Sequence, residues 1–355
     1  MAVQRALVVA AGARPSRPTL VVNELTTLAP DEAVFFDDAE VTQLVGLDPD
    51  TDYDVDGLSF RTLPLPDGEH LVTFATVNDV HFGETICGVI GGDNDPGPFF
   101  SSEPGEDPYP ETMNRGAVDE ITGIDPAIVV VKGDLTSDAL HEQIEAFERC
   151  YLATFGDRLM VVRGNHESYH DNTYAGIPFQ KRVLPGVIVA LLDTTRSQHE
   201  AGKVSADQLE WLDTLGAEAD RPVMVMGHHH VWSPEASARP SNYFGINPDD
   251  SEKLIEVVGR HRRLVGYWAG HTHRNRVRRF RVTGDTPWCE VSCVKDYPGA
   301  WAEYRVHEGG VVQVFRRISA PDALVWTERT KAMYSGTYHD YALGALGDRC
   351  FVLDW

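Results

Sequence analysis

The sequence predicts an α/β protein: a layered domain of buried strands and amphipathic helices over residues 68–318, preceded by a small β module at 1–67 and followed by an extension at 319–355. Three observations lead there. After Pro64-Leu-Pro66, short apolar runs alternate with helix-like segments. Residues 1–67 carry strand-length apolar runs with no helical period, and polar residues suited to ligand binding recur just past the ends of the apolar runs in the larger domain. A chain of 355 residues is long enough for one large domain with an appendage.

At the N-terminus, Ala6-Leu-Val-Val-Ala-Ala11 followed by Gly12-Ala13 has the small residues of a cleavable leader, but it is short for one and Arg5 is a poor charged start. It reads as a first strand. The runs Thr19–Val22 and Ala33–Phe36 follow, separated by Pro, Asn and Asp. Leu47, Pro49, Thr51 and Tyr53 together resemble the corner of fibronectin type III-like sandwiches. So small a module would be an incomplete sandwich leaning on the larger domain and shaping access to it.

In the larger domain, Leu71–Val77, Ala127–Val131, Leu159–Val162, Val187–Leu192, Val223–Met226 and Leu264–Trp268 read as buried strands. Segments 137–154, 205–216 and 250–260 read as helices, the second because Ser205 and Gln208 form a capping box before Leu209. Strands then dominate: Val277–Val282, Cys289–Val294, Trp301–Val306 and Val311–Phe315. The Pro-, Gly- and acid-rich stretch from Gly91 to Glu111 reads either as a substrate-facing flap or as a solvated loop. The C-terminal aromatics Trp326, Tyr334, Tyr338 and Tyr341 point to packing on the body or against a second subunit, which leaves a homo-oligomer open.

Composition narrows the function. A formal charge of -23, from 31 basic against 54 acidic residues, argues against a nucleic-acid polymer or an anionic membrane surface as partner. No apolar run approaches the roughly 18 residues of a membrane span. The five cysteines are odd in number and dispersed, which suits free thiols in a reducing, cytoplasmic compartment. Cys289 and Cys293 read as small core residues on one strand face rather than a zinc pair.

The chemistry lies in five short motifs taken in order: Asp79-Val80-His81, Gly133-Asp134, Gly164-Asn165-His166-Glu167, Gly227-His228 and Gly270-His271-Thr272-His273. Each is weak alone, and a single His is more simply a surface or core residue. Together they place Asp, Asn and His at successive strand ends. Imidazole and carboxylate without thiolate suit borderline ions such as Fe, Mn, Zn or Co.

This ordered set resembles the signature of the calcineurin-like metallophosphoesterase superfamily, over roughly residues 71–318. The resemblance implies a four-layer αββα sandwich and two divalent or trivalent transition-metal ions. One ion would be held by Asp79, His81, Asp134 and His273, the other by Asp134, Asn165, His228 and His271, with Asp134 shared. Such a pair, about 3.5 to 4 Å apart, lowers the pKa of a shared water from 15.7 towards about 7 and so supplies a hydroxide nucleophile. The resemblance makes His166 the non-ligand catalytic residue, with Glu167 or Asp138 as alternatives for orienting its ring.

Gly227-His228-His229-His230-Val231-Trp232 further resembles the G-H-x-P-V-W segment of purple acid phosphatases, which makes His228 the ligand and leaves His229 either facing substrate or supporting the site from behind. Ser137 stands where those enzymes carry a Tyr, and His81 is present where they lack it. The chain therefore resembles the cyclic-nucleotide phosphodiesterase-like branch more closely. Arg274 is nearest the ligands in a cluster with Arg276 and Arg278, either touching phosphate or pairing with acids on a solvated strand face. Trp232, Tyr169, Trp268 and Tyr297 are explained more simply by packing than by base stacking. The implied activity is hydrolysis of a small phosphodiester, first among them a cyclic nucleotide; the rivals are a phosphomonoesterase and a non-catalytic scaffold on the same fold.

Overall fold

Two six-stranded sheets face each other through a shared apolar layer. The computed structural model describes residues 4–8, 24–37, 40–55, 57–90 and 95–355, so the Thr19–Val22 run lies outside the described residues. The first part of the chain contributes β1 (Gln4–Val8), β2 (Glu24–Leu28), β3 (Glu32–Asp37), β4 (Glu40–Val45), β5 (Asp52–Val55) and β6 (Leu58–Arg61). β1 to β4 form one sheet in the order β1-β4-β3-β2, and β5 pairs with β6. Tyr53 accepts the Asp48 N–H at its hydroxyl, 2.8 Å away, and stacks on Phe60, which fixes the corner after Leu47.

The larger domain contributes β7 (His70–Val77), β8 (Val129–Lys132), β9 (Leu159–Val162), β10 (Phe179–Leu184), β11 (Val187–Leu192), β12 (Val223–Gly227), β13 (Leu264–Ala269), β14 (Arg276–Arg278), β15 (Trp288–Glu290), β16 (Ala300–His307) and β17 (Gly310–Arg317). β18 (Phe351–Asp354) comes from the C-terminal extension. The orders are β18-β17-β16-β7-β8-β9 and β10-β11-β12-β13-β15-β14. β7, β8 and β9 run parallel, as do β11, β12, β13 and β15, so their C-terminal ends open on the same edge of each sheet.

Phe74, Val130, Met160, Val189, Met226 and Trp268 fill the space between the sheets. The indole of Trp268 donates to Gln313 at 2.8 Å, so even its polar atom is satisfied in the core. Leu212, Leu254 and Val258, on helices Ala206–Glu218 and Pro248–Arg260, cover the outer face of one sheet. Met113, Ile121, Phe147 and Tyr151 cover the other. The result is the four-layer αββα arrangement. The Ser205–Gln208 capping box forms, and the Gln208 amide also donates to the Pro178 and Asp193 carbonyls, both at 2.6 Å.

Several expectations change. Helix Tyr109–Gly123 begins inside the stretch read as a loop. Its buried face includes Asn114 and Gly116, which blurs the apolar period; Asn114 is there to donate to the Val80 carbonyl and accept from Tyr151. The helix expected at 137–154 starts at His141 and passes through a π turn at Glu148–Leu152. β14 and β15 stop at Arg278 and Glu290, short of the expected strands. Cys289 and Cys293 therefore share no strand face: Cys289 joins the core between the sheets, whereas Cys293 donates to Asp296.

The N-terminal sheet shares its core with the larger domain, since Phe35, Leu44 and Leu47 belong to the same cluster as Trp301 and Phe315. The other face of β3 rests on Leu324 of the helix Pro321–Thr330. Glu32 is buried at this junction against Arg305 and Arg316, which also clasp Glu303. Burial pushes the Glu32 carboxyl up, but the two guanidinium groups outweigh it and hold the pKa at about 2, below the usual 4.5. Its contribution to stability is therefore present above the ordinary carboxyl pKa and lost as pH falls through 4.5 towards about 2. Urea denaturation of the native chain should show a drop in stability between pH 5 and pH 3 that Glu32→Gln reduces; equal drops would remove Glu32 from the account.

Candidate metal centre

Each candidate motif sits where a parallel strand ends. Asp79 and His81 follow β7, Asp134 follows β8, Asn165 and His166 follow β9, His228 follows β12, and His271 and His273 follow β13. Asp79, His81, Asp134, His271 and His273 all have left-handed backbones, with φ between 49° and 67°. Asp and His tolerate that region better than most residues, yet each such position costs on the order of 1–3 kcal/mol unless its surroundings enforce it. Here they do. The N–H groups of Val80 and His81 both donate to the Asp134 carbonyl, and the His271 N–H donates to the Asp79 carboxylate at 3.1 Å.

The glycines of these motifs are equally constrained. A Cβ on Gly133, whose φ is 92°, would lie 2.5 Å from the His228 ring, and one on Gly164 would collide with Asp134. Glu167 is buried and ties two turns together, accepting from the Gly164 N–H at 2.8 Å and from the Thr136 N–H and hydroxyl at 2.9 and 2.8 Å. Asn78 donates to Asp79 at 2.7 Å and to the carbonyls of Val291 and Ser292.

The side chains converge. Asp134 Oδ2 lies 3.5 Å from His81 Nε2 and 3.4 Å from His228 Nε2, and Asp79 Oδ1 lies 3.6 Å from His273 Nε2. Asn165 Oδ1 is 2.9 Å from His228 Nε2, and the His228 and His271 rings lie 5.0 Å apart. Atoms each about 2.1 Å from one ion lie roughly 3.0–3.4 Å from one another, so these gaps are close to those of metal ligands. The sequence-predicted set thus lies in one place, with Asp134 between two groups: Asp79, His81 and His273 on one side, Asn165, His228 and His271 on the other.

The hydrogen bonds also fit a cation. Both ring nitrogens of His81 are buried and make no hydrogen bond among the described residues, Nε2 lying only at 3.5 Å from Asp134. His228 Nδ1 faces the Lys132 carbonyl at 2.7 Å and must donate there, so Nε2 meets the acceptor Asn165 Oδ1 at 2.9 Å either with a second proton or with its lone pair given to a cation. The Asn165 amide is itself committed to Tyr169 at 3.0 Å. His271 Nε2 donates to the Phe244 carbonyl at 2.6 Å, turning Nδ1 inward. A cation placed among them would take up these inward lone pairs.

Electrostatics point the same way. Burial pushes the Asp79 and Asp134 carboxyls up, but neighbouring histidines overcome it and hold both below their usual range, Asp79 at about 2. Burial lowers His81 to about 4, with Lys295 and His166 adding to the effect, and lowers His271 with help from His229 and His228. His228 goes the other way: the carboxylates of Asp134 and Asp79 outweigh its burial and raise it to about 9. The protein supplies two fixed anions and favours positive charge between them.

His166 stands at the rim with 28% of its side chain exposed; its Nδ1 donates to the Ser137 carbonyl at 2.7 Å, and its Nε2 lies 4.0 Å from Asp134. Neither proposed orienting residue serves it, because Glu167 is committed to the turns and Asp138 is engaged with Gln143. His229 does not face a substrate: it is buried, with Nδ1 against the Thr194 hydroxyl at 2.9 Å and Nε2 against the Glu200 carbonyl at 3.0 Å. Arg274 is paired twice with the buried carboxylate of Glu290 at 2.8 Å and lies over Tyr341, so it follows the acid-pairing alternative rather than standing free for phosphate. Sequence reading missed Asn78 and Asp296, the latter 3.4 Å from His273 Nδ1, and explained Tyr169 by packing, whereas its hydroxyl accepts from the Asn165 amide.

Removing Glu167 would leave buried donors on two turns unsatisfied, so Glu167→Ala should cost about 3 kcal/mol in chemical denaturation of the metal-free chain. A change within a few tenths would show that the turns hold without it.

Comparison with known proteins agrees with this architecture. The family model for calcineurin-like phosphoesterases matches residues 72–275, more than half of the chain and all of the converging motifs. The chain is 24% identical over 156 residues to a probable cyclic nucleotide phosphodiesterase of Synechococcus sp., covering 42% of this chain and 58% of that protein. It is also 24% identical over 171 residues to a probable cyclic nucleotide phosphodiesterase of Psychrobacter arcticus, with the same coverages. It thus spans 58% of the length of these curated relatives. Among solved structures, a dimetal phosphatase from Danio rerio superposes with a TM-score of 0.52 at 16% identity, covering 70% of this chain and 98% of that one, a likeness of fold. The strand-end motifs and the family match together show that this chain belongs to the calcineurin-like phosphoesterases.

Proposed function

We propose that the protein is a dinuclear metal-dependent phosphodiesterase acting on a small phosphorylated substrate, with cyclic nucleotides as the first candidates. The observation that carries this reading is the position of Asp134 between two groups of buried ligand atoms. Asp79, His81, Asp134 and His273 would hold one ion; Asp134, Asn165, His228 and His271 would hold the other. Their imidazole, carboxylate and amide donors suit Fe, Mn, Zn or Co. When bound, such a pair acidifies water and neutralises phosphoryl charge.

The chain's own residues supply the rest. The Ser137 carbonyl holds the His166 Nδ1 proton, so Nε2, 4.0 Å from Asp134, is the nitrogen left to exchange a proton with the leaving oxygen, and it gives one from the imidazolium form of the ring. Hydrolysis joins the oxygen of water to phosphorus and breaks one ester P–O bond. His166 Nε2 protonates the departing alkoxide and is reprotonated from solvent. The diester reading is supported by the names of the two curated relatives and by Ser137 and His81, which separate this sequence from the purple acid pattern. Retention of His166 beside a complete ligand set argues against a non-catalytic scaffold. The five free cysteines accord with a cytoplasmic setting, and the charge of -23 with a small substrate rather than a nucleic-acid polymer. No helix among the described residues is long and apolar enough to cross a membrane.

His166→Ala should lower kcat by roughly 10²–10⁴-fold while metal content stays at two ions. Unchanged turnover would remove the assigned role. The native enzyme should turn over a bis-aryl phosphate faster than a mono-aryl phosphate, and the reverse order would make it a monoesterase. His271→Ala and His273→Ala should each deplete one ion first, measured by metal analysis across a chelator series. Retention of two tightly bound ions in both variants would refute the ligand assignment.

A further inference from the structure

We infer that Asp296 is a positioning residue for His273, and that the C-terminal extension sets it through Tyr338, so that this extension tunes one of the two ion sites. The inference rests on the dinuclear reading above. Asp296 and Tyr338 lie outside the family match, which ends at residue 275, shortly after His273.

The geometry is specific. Asp296 is 3% exposed at its side chain, and its Oδ2 lies 3.4 Å from His273 Nδ1. On the opposite side of the same ring, Nε2 lies 3.6 Å from Asp79. A carboxylate facing Nδ1 holds the proton there and directs the Nε2 lone pair towards the ion position, while strengthening it as a ligand. Asp296 is in turn fixed by donors: its Oδ1 accepts from the Tyr338 hydroxyl at 2.7 Å and from the Cys293 thiol at 2.8 Å. Lys295, clamped by Glu84 at 2.6 Å, stands 3.8 Å from Oδ2.

The extension grips this region at more than one point. The Trp326 indole donates to the Lys295 carbonyl at 2.8 Å, and the Tyr297 N–H donates to Thr330 at 3.0 Å, so the residues on both sides of Asp296 are anchored to the helix Pro321–Thr330. Tyr341 donates to the carbonyl of Thr272, between the two histidines of the closing motif. His228 and His271 lean instead on the main-chain carbonyls of Lys132 and Phe244. His273, by contrast, depends on a carboxylate that is itself held by residues from the end of the chain. His273, Cys293 and Asp296 also bring three donor atoms together, but Asp296 Oδ1 is already committed to two hydrogens, which favours positioning over a separate metal site.

The test uses the full chain, stripped of metal and reloaded with Zn²⁺ against a chromophoric chelator, with Co²⁺ absorption as a second readout. Asp296→Asn should weaken one of two sites by about 10–100-fold and leave the other unchanged. Tyr338→Phe, a milder change, should weaken the same site by less, and the double variant should be no weaker than Asp296→Asn alone. The Co²⁺ bands of one ion only should shift. Native affinities in both variants would overturn the inference. So would equal losses at both sites with a lower melting temperature of the metal-free chain, or a third ion in the native protein that Asp296→Asn removes. A native chain that binds fewer than two ions would overturn the dinuclear reading itself, and this inference with it.

Discussion

Two carboxylates, Asp79 and Asp134, are withdrawn from water at the edge where the two sheets open, and much of the surrounding structure makes that tolerable. The effective penalty for burying an ion of this kind is several kcal/mol. Part is offset by N–H donors: His271 and Asn78 on Asp79, and His166 on Asp134. The rest requires positive charge, and the elevated pKa of His228 shows where the protein favours it. A metal ion would meet that requirement without a proton.

The same requirement explains the strain. Five of the seven converging positions adopt left-handed backbones, which persist only where the surroundings enforce them. Crossed hydrogen bonds lock the turns. Glu167 joins the β8 and β9 turns, the Asp134 carbonyl collects two N–H groups from the β7 turn, and the Gly270 N–H returns to the His228 carbonyl. Sheets on one side and buried hydrogen-bond partners on the other leave the converging side chains little freedom to rearrange, as a preorganised site requires.

The periphery belongs to the same design. β18 extends one central sheet, the helix Pro321–Thr330 backs the N-terminal module through Leu324, and Tyr338 and Tyr341 reach Asp296 and Thr272 beside the candidate metal centre. The stretch that reads as a flap or a solvated loop is fastened to this extension in part, since Arg329 holds the Ser101 carbonyl and the Ser335 N–H donates to the Gly97 carbonyl. The C-terminal segment therefore links module, sheet and site.

The sequence by itself determined the converging set of candidate ligands, because the chemistry demands particular residue types and parallel α/β sheets present them at strand ends. It also determined most buried strands, whose continuous apolar runs are a local property, and the Ser205 cap, which is a contact between near neighbours. Tertiary structure decided the partners. That His166 leans on Ser137, that both nitrogens of His229 are occupied, that Arg274 serves Glu290 and that Asp296 stands behind His273 depend on which distant segments meet. The helix Tyr109–Gly123 was hidden for the same reason: its Asn114 is buried to satisfy Val80 and Tyr151, neither adjacent in the chain. Local periodicity records burial against any apolar neighbour, whereas a hydrogen-bond partner exists only once the chain has folded.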